Sequence, residues 1–348
     1  MVFALVNNTE KNMDGICTLG NDRVYDQIIA LLNSIEAIMG DIPVCIYPYD
    51  DNTVKLAQEI ATRPHVQLYS DTDSIAKWDR FVRRVWDTHP TAKQRWEAAG
   101  SSGYHRVGTH RRYGAFDAPF DRFLYMDADT LLMSSVNHIF ALLDTHDCVV
   151  YDFQYKDPTH VYEVDSPKLN RVFGAERVTK DIFCSGFYAS KKDLFSNAEL
   201  EELIGYLKAG EAEILYPMAP DQTIINYMMM RSGKSVYNLA LNLEQSEKTG
   251  CCITSSHFAE KDRVLYDKGK RLTYLHYIGL SSSVIAKVCQ GENIDFPYRD
   301  LFLYYRFLKN PEAKPKFMGK PQPLKSKVTL WQKIVGANGI RPYLGRYF

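Results

Sequence analysis

The sequence has no excess of charge of either sign, because 42 Lys and Arg residues balance 42 Asp and Glu residues. Without a net basic field, the composition gives no indication of a nucleic-acid partner. No apolar stretch approaches the roughly 18 residues that a membrane-spanning helix needs. The N-terminal MVFALVNN lacks a basic region, and its apolar run is too short for a secretory signal peptide. These absences predict a cytoplasmic protein.

The seven cysteines do not form a recognisable metal-binding pattern. No Cys-x-x-Cys pair is present, and the adjacent Cys251 and Cys252 have a poor spacing for zinc ligation. The cysteines are odd in number, scattered, and mostly embedded in apolar runs. This distribution is typical of reduced core thiols and predicts a reducing compartment.

The composition is that of a folded domain of substantial size. With 348 residues, 45% of them hydrophobic, the chain can bury one α/β unit with an elaborated C-terminal part. Strand and helix patterns alternate along the first half. We predict strands at 3–6, 42–47, 66–69, 148–151 and 182–189, and helices at 24–39, 53–61, 75–85 and 136–143. The alternation predicts an α/β fold, a doubly wound, mostly parallel (mixed) sheet with a Rossmann-like nucleotide-binding half.

Two carboxylates follow one of the predicted strands directly. The apolar run that starts at Phe123 ends in Asp127 and Asp129, two residues apart. Ionised carboxylates are almost never buried unpaired, so this pair indicates a hard divalent cation such as Mn²⁺ or Mg²⁺, which would in turn hold a diphosphate. The simpler alternative is a strand end whose Asp caps the next helix.

Two classes of enzyme carry an Asp-x-Asp motif of this kind. In Asp-x-Asp-x-Thr phosphatases the first Asp is a nucleophile and the second a general acid, whereas in GT-A glycosyltransferases the pair binds a metal–nucleotide diphosphate. The phosphatase motif opens its domain and needs a later acidic cluster with Gly-Asp. Here a long α/β region precedes Asp127, and the Gly40-Asp41 pair lies upstream. Position therefore favours the glycosyltransferase.

Most of the other candidate residues have both a functional and a purely structural interpretation. The basic residues of the polar segment 88–114, among them Arg106, His110, Arg111 and Arg112, belong to a solvated loop or face the diphosphate. The long segment 154–180 has no strong periodicity and is typical of a lid or substrate loop. Gly186 allows a ligand close to the backbone or is a packing glycine, and Asp221 near a helix start is explained by capping. The residues around Lys268-Gly269 predict a hairpin.

Taken together, these motifs resemble those of the GT-A nucleotide-sugar glycosyltransferases of family 8, the glycogenin and bacterial galactosyltransferase group. The resemblance is to a divergent branch of this family. The resemblance spans about residues 3–280 and rests on four motifs in the family's order. They are Asp127 with Asp129, Ser185-Gly186, Asp221-Gln222 with Asn226, and His276 with Gly279. The chain departs from the family pattern at Cys184, at Arg112, and after Gly279, where Leu280-Ser281-Ser282-Ser283 replaces Lys-Pro-Trp.

The resemblance implies a metal-dependent hexosyltransferase that uses a nucleotide-sugar donor, with a UDP-sugar favoured and retention of configuration. The acceptor is not legible, and an inverting outcome stays open. A catalytically silent nucleotide-sugar-binding protein, a phosphatase and a sugar-1-phosphate nucleotidyltransferase are the alternatives, although the last would begin with a Gly-rich phosphate loop. The resemblance implies that Asp127, Asp129 and His276 bind Mn²⁺ or Mg²⁺. The implied catalytic residues are Asp221, Gln222 and, less strongly, Asp152. The implied donor-binding residues are Asn7, Asn8, Asp50, His110, Arg112, Ser185, Gly186 and Gly279.

The C-terminal region differs in composition from the rest. We expect a GT-A domain over 1–285, with a nucleotide-binding half at 1–130 and an acceptor and catalytic half at 131–285, followed by an extension over 286–348. From Arg306 onward the chain is rich in cations and aromatics with few acids. Such a segment either contacts an anionic membrane surface peripherally or is a solvated extension.

Overall fold

A seven-stranded sheet organises the computed structural model, which describes residues 12–324. The strands of these residues are β1 Asp14–Gly20, β2 Val44–Pro48, β3 Val66–Leu68, β4 Arg122–Met126, β5 Thr130–Leu132, β6 Cys148–Val150, β7 Phe187–Lys191, β8 Val236–Asn238, β9 Ala259–Lys261, β10 Val264–Asp267, β11 Lys270–Arg271 and β12 Tyr274–His276. The order in the large sheet is β3-β2-β1-β4-β7-β6-β8. All neighbours in this sheet run parallel except those of β7, which is antiparallel to both β4 and β6. The prediction of a mixed, mostly parallel sheet is confirmed.

Helices cover both faces of this sheet. Those of the described residues are α1 Tyr25–Met39, α2 Val54–Ile60, α3 Thr72–Asp87, α4 Ala92–Ala98, α5 Asn137–Leu142, α6 Pro167–Phe173, α7 Ala175–Val178, α8 Asn197–Lys208, α9 Pro220–Arg231, α10 Leu239–Asn242, α11 Ser282–Cys289 and α12 Arg299–Arg306. Successive residues of a strand point to opposite faces. Tyr125 therefore belongs to one buried apolar cluster, while Leu124 and Met126 belong to the cluster on the other side of the sheet.

The helix predicted from Val24 to Met39 is confirmed, with its first turn as a 3₁₀ helix over Asp22–Val24. The side chain of Asn21 caps that turn by accepting a hydrogen bond from the Arg23 amide at 3.0 Å. Gly40 follows the helix with a positive φ of 67°, which suits glycine at this position. The predicted hairpin is also present, since β10 and β11 pair antiparallel across Lys268-Gly269.

The first strand of the described residues, β1, was not predicted from the sequence. The predicted strand at 3–6, with Asn7 and Asn8, lies outside the described residues. Within them, β1 is an interior strand of the large sheet and pairs with β2 and β4. Its sequence, DGICTLG, contains two glycines and a threonine, so its apolar run is short. Gly15 is required by packing, because a Cβ there would lie 2.3 Å from the Phe120 ring.

Two segments expected as irregular contain helices that pack against the core. Segment 88–114 holds α4 and most of a 3₁₀ helix over Val107–Asp117, and Trp96 is fully buried. Segment 154–180 holds α6 and α7, which bury Leu169, Phe173 and Val178 in the same cluster. Their helices are short, so periodicity in the sequence is weak, and tertiary burial supplies the stability that propensity does not.

The region after residue 285 is built into the fold as far as it is described. The predicted domain boundary lies inside α11, and α12 contributes Leu301, Phe302 and Leu303 to a third apolar cluster with residues of β5 and β12. We expected the cations from Arg306 onward to have almost no acidic side chains beside them. This expectation is wrong for Arg306 and Lys309, the first two of these cations. Arg306 pairs with Asp26 at 2.6 Å, and Lys309 pairs with Glu36 at 2.6 Å. Residues 325–348, which carry Trp331 and the terminal aromatics, lie outside the described residues.

Across residues 12–324, no helix is both long enough and apolar enough to cross a bilayer.

Candidate metal and substrate site

The two carboxylates of the Asp-x-Asp motif and the histidine of β12 converge at one edge of the sheet. One ligand atom from each of Asp127, Asp129 and His276 lies within 4.8 Å of the others. Asp127 directly follows β4, and its amide donates a hydrogen bond to the Gly186 carbonyl at 2.9 Å. The chain then turns into β5, which pairs antiparallel with β12 and places His276 opposite Thr130. Two distant segments therefore present oxygen and nitrogen donors to one point.

His276 and Asp129 form an ion pair, with 3.2 Å between Nε2 and Oδ1. Burial alone lowers the pKa of His276, but Asp129 and Asp127 outweigh burial and raise it to about 9. Burial also acts to raise the pKa of Asp129, and the charge and hydrogen bond of His276 offset this and leave it below its usual value. In this arrangement a proton on His276 balances Asp129, at the position where a cation would otherwise do so.

The pKa of Asp127 is shifted in the opposite direction to the pKa of Asp129. Burial raises its pKa above the usual range, the charge of Asp129 adds to the increase, and Arg112 opposes it. Its Oδ1 also accepts a hydrogen bond from the Tyr125 hydroxyl at 3.1 Å. The carboxylate side chains of Asp127 and Asp129 each remain 25% exposed. Two accessible carboxylates and one imidazole are a donor set that fits Mn²⁺, and Mg²⁺ less closely because it prefers oxygen.

Gly186 makes room for this cluster. A Cβ at that position would lie 2.7 Å from Asp127 Oδ2 and 3.0 Å from His276 Cε1. The glycine thus allows the side chains of both residues to approach the backbone ahead of β7.

Arg112 joins the cluster to the start of α9. Its guanidinium lies 3.2 Å from Asp127 Oδ1 and 3.0 Å from Asp221 Oδ2. It also donates to the carbonyl of Ser185 at 2.9 Å and to the Thr109 carbonyl at 3.0 Å. A buried arginine is stable only when its donors are satisfied, and here two carboxylates and two carbonyls satisfy them.

Asp221 and Gln222 both contact the segment that precedes β7. The Ser185 hydroxyl donates to Asp221 Oδ2 at 3.2 Å, and the Ser185 amide donates to Gln222 Oε1 at 3.3 Å. Burial acts to raise the pKa of Asp221, but Arg112 dominates the other influences and the pKa lies below its usual value. Asp221 is therefore ionised. Asn226 holds the same segment through two hydrogen bonds with the backbone of Phe183, of 2.8 and 2.9 Å.

Asp152 follows β6 at the same edge of the sheet. Its carboxylate accepts hydrogen bonds from the amides of Gln154 at 2.7 Å and Cys184 at 3.2 Å. Only 4% of the residue is exposed. Burial raises its pKa to about 7, because the two amides compensate only part of the lost hydration.

The remaining donor-binding candidates fall into different environments. Asp50 follows β2 and accepts a hydrogen bond from the Asn21 side chain at 2.9 Å. Gly279 is exposed and has a φ of 80°. His110 is fully buried, with Nε2 3.4 Å from the Trp86 indole nitrogen and Nδ1 3.0 Å from the Val107 carbonyl. Burial lowers its pKa to about 4, so at neutral pH it contributes no positive charge.

Sequence reasoning missed three residues of this site. Tyr125 supports Asp127, Tyr113 donates to the Asp221 carbonyl at 2.5 Å, and Asn21 directly follows β1 and donates to Asp50. The aromatic position two residues before Asp127 was a usable signal, since it points to the same side of the sheet as the carboxylate. The sequence carried no comparable signal for Tyr113.

No family model and no curated protein matches the sequence. Among solved structures, the chain is similar to the bifunctional glycosyltransferase WbbM, with a TM-score of 0.51 and 14% identity over 89% of this chain and 53% of WbbM. It thus spans about half the length of WbbM. Mouse xyloside xylosyltransferase 1 has a TM-score of 0.47 and 11% identity over 65% of this chain and 85% of its own. The galactosyltransferase LgtC has a TM-score of 0.45 and 12% identity over 83% of this chain and 100% of its own. The fold is that of GT-A glycosyltransferases.

Proposed function

We propose that this protein is a metal-dependent glycosyltransferase that moves a sugar from a nucleoside-diphosphate donor, favouring UDP, to an acceptor. The observation that carries the proposal is the convergence of Asp127, Asp129 and His276 at the sheet edge of a GT-A fold. More narrowly, we propose a divergent branch of family 8, on the ordered motifs of the sequence. The alternative of a phosphatase is less favoured, because a long α/β region precedes Asp127 and the Gly40-Asp41 pair lies upstream of it.

The proposed cation ligands are Asp127, Asp129 and His276. A bound Mn²⁺ or Mg²⁺ would neutralise the negative charge that develops on the departing diphosphate. To bind the cation, His276 would have to release its proton. Asp129 would then contact both the cation and the imidazole and would keep the imidazole in place.

We propose that Arg112 positions Asp221 beneath the sugar ring. Its guanidinium contacts both Asp127 and Asp221 and would therefore fix the distance between the metal-binding and sugar-binding sides of the site. Asp221 and Gln222 would stabilise an oxocarbenium-like transition state with retention of configuration. Asp152 is a further candidate on the acceptor side.

The nucleotide would lie along the carboxyl ends of β1 and β2, where parallel strands open onto a crevice. Asn21 and Asp50 occupy these ends and already share a hydrogen bond. Gly279 follows β12 and would let the diphosphate approach the backbone. Asn7 and Asn8 keep their proposed role from the sequence alone.

The test is calorimetry of UDP binding with and without Mn²⁺. Asp129→Ala should lose most of the Mn²⁺-dependent part of the affinity, because it removes a ligand and leaves His276 without its ion pair. Asp300→Asn is the matched control, since Asp300 is 78% exposed on α12 and distant in the fold. Unchanged metal-dependent affinity in Asp129→Ala would exclude this metal site. Tight binding without any hydrolysis of a UDP-sugar would instead identify a nucleotide-sugar-binding protein.

A further inference from the structure

Two adjacent thiols lie beside the backbone of the proposed metal ligand His276. The Sγ atoms of Cys251 and Cys252 are 3.6 Å apart. Cys251 is buried, with 8% of its surface exposed, whereas Cys252 is partly exposed. Both thiols are free in the structure, and neither has a part in the proposed transfer reaction. Cys252 is therefore the more exposed residue of the pair.

The backbone of this pair holds His276 from one side. The His276 amide donates to the Cys251 carbonyl at 2.6 Å, and the Ile253 amide donates to the His276 carbonyl at 3.0 Å. Cys252 forms a parallel β-bridge with His276. On the other side, β12 is paired with β5. His276 is thus fixed between β5 and the 251–253 segment.

We propose that Cys251 and Cys252 are a redox-sensitive modification site that forms a vicinal disulfide with hydrogen peroxide as the oxidant. One sulfur attacks the peroxide, the O–O bond breaks, one water leaves, and that sulfur becomes a sulfenic acid. The second thiol then displaces the hydroxyl group as a second water and forms the S–S bond. Two thiols are oxidised by two electrons in total, and one peroxide is reduced to two waters.

This disulfide would disturb the peptide between the two cysteines. The sulfurs must approach by about 1.5 Å to reach a bond of roughly 2.05 Å. Adjacent Cα atoms are only about 3.8 Å apart, which is shorter than the usual separation of about 4.4–6.8 Å in disulfides. The ring can close only if the intervening peptide rotates. The carbonyl of that peptide belongs to Cys251 and accepts the hydrogen bond from His276.

The consequence is a switch on the metal site, and this part rests on the proposed function. Rotation of the Cys251 carbonyl removes a backbone hydrogen bond from His276 and lets the imidazole leave its position beside Asp129. Loss of such support around a metal ligand commonly lowers metal affinity by about tenfold to a hundredfold. Thiol reductants would restore the site, since disulfides exchange with thiolates.

The experiment treats the reduced full chain with hydrogen peroxide and uses three readouts. Peptide mass spectrometry should find a peptide with Cys251 and Cys252 lighter by two hydrogen atoms. Hydrogen exchange should be faster at the His276 amide and unchanged in β1. Mn²⁺ affinity should fall by about tenfold or more and recover with dithiothreitol.

Two variants serve as controls. Cys252→Ser should keep its Mn²⁺ affinity and its slow His276 exchange after peroxide, because it cannot close the ring. Cys289→Ser, on α11, should behave as the wild type.

The outcomes separate the two proposals. Absence of the disulfide, or a disulfide with unchanged His276 exchange, overturns the switch whatever the metal result. A reduced protein that binds no Mn²⁺ but shows disulfide formation and faster exchange overturns the metal site and leaves the modification site standing.

Discussion

At the scale of single residues, the site is a chain of charges that Arg112 connects. Asp127 and Asp221 both contact its guanidinium, and Ser185 accepts from it and donates to Asp221. Burial acts to raise the pKa of both carboxylates, and Arg112 opposes it at both. The pKa of Asp127 is nevertheless raised, because Asp127 also faces Asp129, whereas the pKa of Asp221 is lowered, because Arg106 adds to the effect of Arg112. Two aspartates thus differ in electrostatic character, which suits Asp127 to a metal and Asp221 to a sugar.

We expect Asp221→Asn and Gln222→Ala to lower turnover by about a hundredfold while UDP binding with Mn²⁺ changes little. Both side chains contact the segment ahead of β7 and neither contacts the three proposed metal ligands. Steady-state rates with a UDP-sugar and calorimetry with UDP measure the two effects. An equal loss of UDP affinity would place these residues at the nucleotide instead of the sugar.

Asp152 should make stability depend on pH. Its pKa rises from 3.8 in the unfolded chain to about 7 in the folded protein. The folded state therefore holds this proton more tightly, and the resulting stability is present below about pH 4 and is lost as pH rises through about 7. Asp152→Asn should remove a slope of up to about 1.4 kcal/mol per pH unit.

Urea unfolding of wild type and Asp152→Asn without divalent cations measures this difference across that range, because the other titrating groups cancel in the subtraction. Asp300→Asn should run parallel to the wild type. Parallel curves for Asp152→Asn would mean that Asp152 is ionised in the folded protein throughout.

At the scale of elements, the segment before β7 determines how the site is assembled. It lies between β4 and β6 at the carboxyl edge, and it contacts Asp127 through Gly186, Asp152 through Cys184, and Gln222 through Ser185. Because β7 runs antiparallel to its neighbours, its N-terminal end reaches the edge where the other strands end. One short segment thereby contacts Asp127, Asp152 and the start of α9.

Gly186→Ala should disrupt the metal site more than the fold. The added methyl group would meet the side chains of Asp127 and His276 rather than backbone atoms. We expect Mn²⁺ affinity to fall by about tenfold or more, as for other disturbances around a metal ligand.

Gly205→Ala is the matched control. Gly205 lies within α8 and has open space around it, so alanine should raise stability by roughly 0.5–1 kcal/mol and leave Mn²⁺ affinity unchanged. Thermal unfolding and Mn²⁺ titration of both variants give the comparison. Wild-type Mn²⁺ affinity in Gly186→Ala would show that the cluster adapts to the methyl group.

At the scale of the whole molecule, the C-terminal region has two parts. The described part, through α12, closes the third apolar cluster, and the Asn33 side chain donates to the Tyr305 carbonyl at 2.7 Å. Arg306 and Lys309 are neutralised by acids of α1. Any docking of this region to an anionic surface therefore depends on the cations that follow Lys309.

We predict that removal of residues 325–348, which takes away five of the eight Lys and Arg residues that follow Lys309, weakens such docking without loss of the fold. Each Lys or Arg near an anionic bilayer contributes on the order of 1 kcal/mol, and salt screens the attraction beyond about 8 Å. Co-sedimentation of the full and shortened chains with anionic vesicles at low and high salt is the measurement. Equal, negligible pelleting of both chains would leave the segment as a solvated extension and favour an acceptor that is not lipid-linked.

The sequence by itself determined the features that depend on local pattern. The alternation of apolar runs and helical periods predicted the mixed α/β sheet, and the run ending at Asp127 placed two carboxylates at a strand end. Side-chain alternation and helix capping are properties of neighbouring residues, so they can be predicted without knowing the rest of the fold.

Only the tertiary structure decided which distant groups satisfy one another. Arg112 belongs to a segment that the sequence left as either a solvated loop or one that faces the diphosphate, and it is buried because Asp127, Asp221 and Ser185 surround it. The interior position of β1 in the sheet and the burial of α6 and α7 likewise depend on partners far along the chain. A charged or weakly periodic segment becomes stable inside a protein only when other elements supply its hydrogen bonds and apolar contacts, and local sequence does not contain those elements.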